Sequence, residues 1–295
     1  MKALITGGAG YIGRHLANLL VKHGHAVAVL DLQTPDPPRV LPGCTFLQGS
    51  INEPSIVQRA VQGADVVFHL AWGSYPWDEP RQVRENLLGT LTLLEASLAA
   101  GVEQLVFASS AVVYGPTGHR RVSERHACFP ERSTIGGPVY GITKLASEKC
   151  CLACKRGGLA VTVLRMHGVF SAGRLSKFER MIYSARRGGP VLAVRGAGGE
   201  YVHLEDVLAI LRLVAGNPGA FGQVFNVAGL HTYRDVELAQ QIAGVAGCAV
   251  ELLADVGERM VSVSVQKLQR MLGYVPRQEA FLEGLIQDRL AEMSA

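Results

Sequence analysis

Short apolar runs alternate with amphipathic stretches through the first 166 residues of the chain. The run at 2–6 has the length of a buried strand, and leucines at helical spacing follow it at 14–23. The same alternation predicts strands at 2–6, 26–31, 45–48, 66–70, 104–109 and 160–166, with helices in five of the gaps. Strands that alternate with helices are typical of an α/β fold with a parallel, doubly wound sheet.

The pattern loosens after residue 166 into glycine-rich turns and shorter elements. We therefore expect a Rossmann domain over residues 1–168 and a smaller C-terminal lobe over residues 169–295. One apolar run near 224–227 is expected to return to the main sheet.

A glycine-rich turn follows the first predicted strand. Gly7, Gly10 and Gly13 form a variant of the dinucleotide-binding fingerprint. One glycine makes the tight turn, one admits a pyrophosphate against bare backbone, and one lets helix and strand pack closely. The helix that begins there offers backbone N–H groups and a positive dipole end to phosphates. We expect Tyr11 and Ile12 to share this contact with the cofactor.

The second predicted strand ends in Asp31, eighteen residues beyond Gly13. An acidic side chain at this place accepts hydrogen bonds from the adenosine ribose hydroxyls. Because a carboxylate repels a 2′-phosphate, we predict NAD rather than NADP as the cofactor. Arg14 is the counter-argument, since a basic residue after the last glycine could pair with that phosphate. We favour an exposed first-turn side chain for Arg14.

Tyr140 and Lys144 are four residues apart, which places both side chains on one face of a helix. A neighbouring ammonium favours ionisation of a phenol, whose ordinary pKa is about 10. Action as a base near neutral pH requires the ionisation free energy to fall by about 4 kcal/mol. Lys144 and a bound cationic cofactor could share that change, although a plain surface pair is the alternative interpretation.

Ser109 and Ser110 stand at the end of the predicted strand at 104–109. Ligands bind outside the carboxyl ends of strands in doubly wound sheets, so a serine there can face a substrate. The alternative is a serine that only caps or turns the chain.

Together these residues resemble the extended short-chain dehydrogenase/reductases, the NAD-dependent epimerase/dehydratase family, and the pattern is nearest to nucleotide-sugar 4-epimerases. The resemblance covers nearly the whole chain. The segments that match the family pattern are 6–13, 67–71, 85–90, 109–115, 140–144, 201–207 and 267–274.

The resemblance implies a hydride mechanism with three catalytic side chains. Tyr140 would be the general acid/base on a substrate hydroxyl or carbonyl. Lys144 would lower the pKa of Tyr140 and hold the nicotinamide ribose. Ser110 would hydrogen-bond the reacting oxygen, so that Ser110 and Tyr140 also bind the substrate.

The resemblance further implies cofactor contacts from Leu70, Ala71, Asn86 and Ser109, in addition to Tyr140 and Lys144. The C-terminal lobe would bind the substrate. His167 lies in the segment that faces the substrate in the family, and we include it among the substrate-binding residues. An ordinary hydrogen-bonded histidine is the alternative for His167.

Two departures from the family pattern bear on the reaction. Dehydratases carry an Asp-Glu pair after the reactive serine or threonine, and this chain has Ala111 and Val112 there. Neither side chain can transfer a proton, which argues against a sugar 4,6-dehydratase.

Positions that help to bind a substrate diphosphate in the family are also changed, with Gly168 in place of an asparagine and Gly199 in place of an arginine. A further family arginine falls near Leu253 and Ala254.

These losses leave two enzyme hypotheses. The first is an NAD-dependent oxidoreductase/epimerase that acts on a hydroxyl or keto carbon of a nucleotide-linked sugar, with nearby basic residues (Arg174, Lys177, Arg195 or Arg259) replacing the lost contacts. The second is an alcohol dehydrogenase or ketoreductase whose substrate carries no nucleotide diphosphate. A catalytically silent dinucleotide-binding or redox-sensing module is a third class, against which the intact Ser110, Tyr140 and Lys144 argue.

Composition limits the partners of the chain. With 295 residues and 48% hydrophobic content it can bury a large core, and its net charge is a mild +4. The basic clusters at 119–121 and 186–187 are isolated, so we interpret them as solvated and expect no nucleic-acid partner. The sequence has no signal-peptide pattern and no apolar run long enough for a membrane span, so we expect no membrane association.

Six cysteines show no metal-ligand spacing, and we expect free thiols, no metal site and a reducing cytoplasm. The predicted helices at 83–100 and 139–156 are rich in Leu and Ala. In the family these two helices build a four-helix dimer contact, which implies a homodimer, although core packing explains most of that content.

Overall fold

The computed structural model describes residues 1–34, 42–73, 78–118, 120–133, 137–171, 174, 177–255, 260–277 and 280–291. Its strands are β1 (Lys2–Thr6), β2 (Ala26–Asp31), β3 (Cys44–Gln48), β4 (Val66–His69), β5 (Gln104–Ser110), β6 (Ala160–Met166), β7 (Val169–Phe170), β8 (Val191–Arg195), β9 (Gly198–Gly199), β10 (Val202–His203), β11 (Gln223–Val227), β12 (Tyr233–Arg234) and β13 (Val250–Asp255). Its α-helices are α1 (Tyr11–Lys22), α2 (Pro54–Val61), α3 (Glu79–Val83), α4 (Gly89–Ala99), α5 (Pro138–Ala153), α6 (Lys177–Arg186), α7 (Leu204–Val214), α8 (Asp235–Ala246), α9 (Gln266–Leu272) and α10 (Ala280–Ala291). A π-helical turn, Arg84–Leu88, joins α3 to α4.

Seven strands form one sheet in the order β11-β6-β5-β4-β1-β2-β3. Strand β1 is parallel to β2 and β4, and the pairs β2–β3 and β4–β5 are also parallel. All six strands predicted from the sequence are present, and β11 is the run that was expected to return. The predicted doubly wound α/β fold is therefore confirmed.

The chain changes direction across the sheet between β1 and β4. From β1 it proceeds through β2 to the β3 edge, and from β4 it proceeds through β5 and β6 the other way. In open α/β sheets the crevice outside such a reversal is where ligands bind. The fold thus places the glycine-rich turn after β1 and the Leu70–Ala71 segment after β4 at one crevice.

Burial along the strands follows their place in the sheet. All four residues of β4 are buried, whereas the edge strand β3 is only half-buried. A central parallel strand is covered by helices on both faces, so continuous apolar sequence such as Val66–Phe68 is what it requires. The core of this region is built around Leu4, Leu93, Phe107 and Val163.

The chain divides into two compact units. Unit 1 comprises Met1–Val113, Pro130–Arg165 and Leu208–Phe225, and unit 2 comprises Tyr114–Phe129, Met166–Val207 and Asn226–Ala295. The predicted boundary at residue 168 lies close to the end of β6. The segments 114–129 and 208–225 fall on the other side of that boundary, because the chain leaves unit 1 after β5 and returns to it with α7 and β11.

Unit 2 has its own core of helices packed against short strand pairs. Strands β8 and β13 are parallel, and α6, α8 and α10 contact one another. Phe178, Ile182, Val191, Leu238 and Ile242 are buried together in this core. None of the helices in the described part of the chain is long and apolar enough to cross a membrane.

Candidate active site

The glycine-rich turn requires glycine for reasons of space as well as backbone conformation. Gly7 has φ +71°, and a Cβ there would lie 2.6 Å from the amide nitrogen of Ala71. A Cβ on Gly13 would lie 2.3 Å from the carbonyl oxygen of Gly7. Both contacts are too short for any side chain. The loop can therefore approach Ala71 and the first turn of α1 only with glycine at these positions.

A cavity of about 420 Å³ in unit 1, hereafter the crevice cavity, opens beside this loop. Six of the predicted cofactor residues line it: Gly7, Gly10, Asp31, Leu70, Ala71 and Asn86. Gly10, the residue before α1, presents bare backbone to the cavity. Tyr11, Ile12 and Gly13 form the first turn of α1 and are not among the described lining residues. The glycine spacing predicts this cavity but not the contribution of Gln33, Asn52 or Trp72 to it.

Asp31 is held at the wall of the crevice cavity by backbone. Its Oδ2 accepts a hydrogen bond from the Ala9 amide at 2.9 Å, and its Oδ1 accepts one from the Gln33 amide at 3.1 Å. Each oxygen retains acceptor capacity for a ribose hydroxyl. The Arg14 guanidinium lies 5.6 Å from the centre of the Tyr11 ring, a cation–π contact within α1. The residues present therefore fit a dinucleotide with an unphosphorylated adenosine ribose.

Asn86 organises the wall of the crevice cavity through backbone contacts. Its amide oxygen accepts from the Gly73 N–H at 2.8 Å, and its amide nitrogen donates to the Gly73 carbonyl at 2.7 Å. Asn86 lies in the π-helical turn, and the Thr90 hydroxyl donates to the Asn86 backbone carbonyl at 2.8 Å. π-Bulges are frequent at functional sites. Both polar atoms of the side chain are thus engaged with Gly73, so Asn86 supports the segment after β4.

The sequence-predicted pair of Ser110 and Tyr140 meets in the structure. Ser110 is the last residue of β5, and its side chain interacts with the Tyr140 phenol in the sense that lowers the pKa of that phenol. Tyr140 lies in the first turn of α5, which begins with Pro138 at a position where the missing N–H costs no hydrogen bond. The carboxyl end of β5 and the start of α5 thus bring the two hydroxyls together.

Lys144 is buried beside two aromatic rings. Its Nζ donates to the Ala108 carbonyl at 2.7 Å and lies 3.5 Å from the centre of the Trp72 ring. The Trp72 and Tyr140 rings are also in edge contact, with centroids 6.3 Å apart. Because Trp72 lines the crevice cavity, it joins that cavity to both Lys144 and Tyr140.

The pKa of Tyr140 is raised in the structure, whereas a lowered pKa was expected from the sequence. Burial raises the pKa of Tyr140, and the hydrogen bond from Ser110 opposes that rise. The Lys144 ammonium contacts the Ala108 carbonyl and the Trp72 ring and lies 5.9 Å from the centre of the Tyr140 ring. Burial also lowers the pKa of Lys144 well below its usual value, against the attraction of Glu148. Easy ionisation of the phenol therefore needs a further positive charge in the site.

A buried ion pair that the sequence analysis missed joins the same helix to strand β6. Glu148 is four residues beyond Lys144, and its Oε2 is 2.7 Å from Nη2 of Arg165. The Ser109 hydroxyl donates to Glu148 Oε1, so the Ser109 side chain is engaged within unit 1 and is not among the described residues that line the crevice cavity. The cofactor contact of Ser109 stays a prediction. The spacing of Lys144 and Glu148 was the available sequence indication.

His167 belongs to unit 2 and is buried. Its Nδ1 is 2.8 Å from the Glu200 carbonyl oxygen, and its Cε1 lies 1.9 Å from where a Cβ on Gly199 would be. A Cβ on Gly168 would likewise lie 2.1 Å from Cδ1 of Tyr201. Histidine and tyrosine rings thus fill the space beside both glycines. Among the described residues no group of three or more His, Cys, Asp or Glu side chains could hold a metal ion.

Comparison with known proteins agrees with this geometry. Residues 3–228 match the profile of the NAD-dependent epimerase/dehydratase family. A UDP-glucose 4-epimerase of Lactobacillus helveticus is 29% identical to this chain, over 95% of the chain and 93% of its own length. A 2-alkyl-3-oxoalkanoate reductase of Stenotrophomonas maltophilia is 32% identical over 64% of the chain and 57% of its own length. The structure of MoeE5 with UDP-glucuronic acid and NAD has a TM-score of 0.83 and 30% identity, and covers 100% of both chains.

Proposed function

The chain belongs to the NAD-dependent epimerase/dehydratase family, and we propose that it interconverts a hydroxyl and a keto carbon of a sugar, in the manner of a UDP-sugar 4-epimerase. Its cofactor is NAD, which accepts and returns hydride at the nicotinamide ring when bound. The observation that carries the proposal is the placement of Ser110 at the carboxyl end of β5 and of Tyr140 in the first turn of α5, where the Tyr140 ring contacts Trp72 beside the buried Lys144 ammonium. Trp72 connects Tyr140 to the crevice cavity.

We assign the proton transfer to Tyr140. As the hydroxyl carbon of the substrate loses hydride, its oxygen must lose a proton, and Tyr140 takes it as general base. Ser110 hydrogen-bonds the same oxygen and orients it toward Tyr140. Because burial raises the pKa of Tyr140, the positive charge of the oxidised nicotinamide is required to favour the phenolate. Lys144 would hold the nicotinamide ribose.

The crevice cavity supplies the remaining cofactor contacts in this proposal. Asp31 would accept hydrogen bonds from the adenosine ribose, since each of its oxygens has capacity beyond the backbone bond it already accepts. The pyrophosphate would lie against Gly10 and the N-terminus of α1, where the helix dipole is positive. Asn86 would act through Gly73 rather than through direct contact.

A dehydratase reaction is disfavoured by the residues that follow Ser110. Ala111 and Val112 are both buried and apolar, at the positions where the resemblance places an acid and a base. Elimination of water needs proton transfer at a second carbon, which neither side chain can provide. The chain is therefore equipped for oxidation and reduction at one carbon.

A second candidate function is an alcohol dehydrogenase or ketoreductase whose substrate carries no nucleotide diphosphate. The specific support is the filling of the space at Gly168 and Gly199 by Tyr201 and His167. An asparagine or arginine in those places would have no room. His167 would then contribute to a pocket for a substrate without a diphosphate.

Turnover followed by absorbance at 340 nm separates the two candidates. An epimerase retains its NAD and shows no net change, while product sugar accumulates. A dehydrogenase consumes added NAD or NADH in proportion to product. A thermal-shift series with UDP, dTDP and free sugars, in the presence of NAD, tests the nucleotide. Stabilisation by no nucleoside diphosphate, together with net NADH turnover on a simple ketone or alcohol, would overturn the epimerase proposal.

We also propose that the enzyme is a homodimer through the segment 83–100, which contains the π-helical turn and α4, and through α5. Val83, Leu88 and Ile142 are large apolar side chains with exposed fractions of 39%, 50% and 43%. Apolar groups exposed close together on helices are typical of association surfaces. Ile142→Glu should convert a dimer to a monomer in light scattering, whereas a monomeric wild type would refute the proposal.

The thiols favour a reducing compartment. All six cysteines are free, and Cys151 is buried within α5, where burial raises the pKa of its thiol. Free thiols persist where glutathione and thioredoxin keep them reduced. We therefore propose that the enzyme acts in the cytoplasm.

A further inference from the structure

Unit 2 contains a second cavity, which is lined by unit 2 residues and has a different character from the crevice cavity. Its volume is about 590 Å³, within the range of small-molecule sites. The side chains that give it this character are Arg120, Arg121, Arg125, His126, Gln266 and Gln269. None of the described residues that line it is acidic. We call it the arginine cavity.

The acidic residue that lies between these arginines in the sequence does not neutralise the positive charge of the arginine cavity. Glu124 is the acidic residue between these arginines, and its Oε1 accepts a hydrogen bond from the Asn226 amide at 2.9 Å. Arg120 and Arg125 are exposed and make no ion pair within the described part of the chain. Their guanidinium groups therefore carry net positive charge at the cavity.

Arg121 is held in a fixed position at the same cavity. Its Nη2 donates to the Leu230 carbonyl at 2.7 Å, and its Nε is 3.5 Å from the buried carboxylate of Glu200. That carboxylate is itself fixed by the Ser262 hydroxyl at 2.6 Å and by the Val263 amide at 3.0 Å. A guanidinium positioned in advance loses less entropy when it binds an anion.

We propose that the arginine cavity binds a phosphate-bearing small molecule. Guanidinium groups match phosphate oxygens with paired, charge-assisted hydrogen bonds. Arg120 and Arg125, which make no ion pair within the described part of the chain, suit an anionic group, and Arg121 lies at the same cavity. The glutamine side chains of α9 and the cavity volume leave room for a hydrogen-bonding organic body such as a sugar. This ligand is additional to the cofactor and reacting substrate proposed above.

Calorimetric titration of the full-length enzyme tests the proposal. NAD is held at saturation so that the crevice cavity cannot bind the probes. The probes are glucose 1-phosphate, orthophosphate and uncharged glucose. Glucose 1-phosphate should bind, more tightly than orthophosphate, and glucose should not. The double variant Arg120→Gln/Arg125→Gln should weaken glucose 1-phosphate binding by at least about tenfold, because two charged contacts are lost.

A matched control removes the same charge elsewhere in unit 2. Arg186 and Arg187 are exposed at the end of α6, and Arg186→Gln/Arg187→Gln should leave binding within about twofold of wild type. Both double variants should keep the wild-type melting temperature, since all four side chains are exposed. Equal weakening by the two doubles, unchanged binding in Arg120→Gln/Arg125→Gln, or equal affinity for glucose 1-phosphate and orthophosphate would overturn the proposal.

Discussion

The imidazole of His167 occupies the space that any side chain at position 199 would need, with its Cε1 1.9 Å from the place of a Cβ on Gly199. Tyr201 stands in the same relation to Gly168 at 2.1 Å. The two glycines are therefore matched to the rings beside them. Restoring a family-like asparagine or arginine at either glycine would require the neighbouring ring to move.

Gly199→Ala should destabilise the enzyme by about 1–3 kcal/mol, because the added methyl group collides with a buried ring. Urea unfolding gives the change in free energy. Gly244→Ala is the control, since a Cβ there meets nothing within 4 Å and Gly244 lies inside α8. That variant should gain stability slightly, as alanine favours helix.

The collision can be isolated with a double variant. His167→Ala removes the ring, so Gly199→Ala should cost less in that background than in wild type. A coupling free energy of at least about 1 kcal/mol is expected between the two sites. Additive effects of the two substitutions would show that the ring and the glycine are not matched.

Tyr140→Phe should lower turnover by about 10²–10⁴-fold, because it removes the hydroxyl that would transfer the proton. Binding of NAD should be retained, since the glycine-rich turn and Asp31 are unchanged. Tyr183→Phe serves as the control, because Tyr183 is exposed on α6 in unit 2. Full turnover by Tyr140→Phe would contradict the assignment of the general base.

Much of unit 1 could be predicted from the sequence because local patterns determine it. The apolar runs that became β1 to β6 are short and bounded by turns, and all six belong to the same seven-stranded sheet. Gly7 and Gly13 could also be predicted, because their spacing after a strand is a local pattern. The structure gives the physical cause: a positive φ at Gly7 and contacts under 3 Å at both positions, which only glycine allows.

The partners of the buried polar side chains could not be predicted from the sequence, because they come from distant segments of the chain. The Ala108 carbonyl and the Trp72 ring, which contact the Lys144 ammonium, belong to segments distant from Lys144 in the sequence. The Ser109 hydroxyl donates to Glu148, which lies 39 residues further along the chain. Residues 119–121 were interpreted as solvated from the sequence. Composition alone could not predict the cavity that Arg120 and Arg121 line, because residues distant in the sequence form its other walls.

The stability of the enzyme should fall on the acid side because of His69. The ring is buried between the Thr6 and Thr90 hydroxyls, at 2.8 and 3.0 Å, and burial lowers its pKa to about 3 from an ordinary value of 6.5. As pH falls, the unfolded chain binds the proton first. The contribution of His69 is therefore complete above about pH 6.5 and is lost progressively toward pH 3.

Urea unfolding at pH 7 and pH 5 measures this effect. His69 alone should account for a loss of about 2 kcal/mol between the two pH values. His69→Gln cannot titrate, so the variant should show a pH dependence smaller by that amount, although it is less stable at pH 7. Other titrating groups cancel in the comparison. Equal pH dependence in the two proteins would show that His69 is not held neutral.

The Glu148–Arg165 pair should be the most sensitive polar contact in unit 1. Both side chains are buried, and Arg165 also donates through Nε to Glu148 at 3.0 Å. Glu148→Gln leaves a buried guanidinium without its counter-charge, which costs about 3–5 kcal/mol in comparable sites. Glu131→Gln is the control, because its partner Arg132 is 3.8 Å away and both are exposed; exposed pairs contribute about 0–1 kcal/mol.

A further variant distinguishes loss of the pair from loss of a hydrogen bond. Glu148→Gln/Arg165→Met removes both charges and keeps the bulk, so it should be more stable than Glu148→Gln alone in urea unfolding. Glu148 also attracts the Lys144 ammonium, and its removal should lower the pKa of Lys144 further. If Glu148→Gln cost no more than Glu131→Gln, the pair would be screened by water, and its proposed influence on Lys144 would be lost with it.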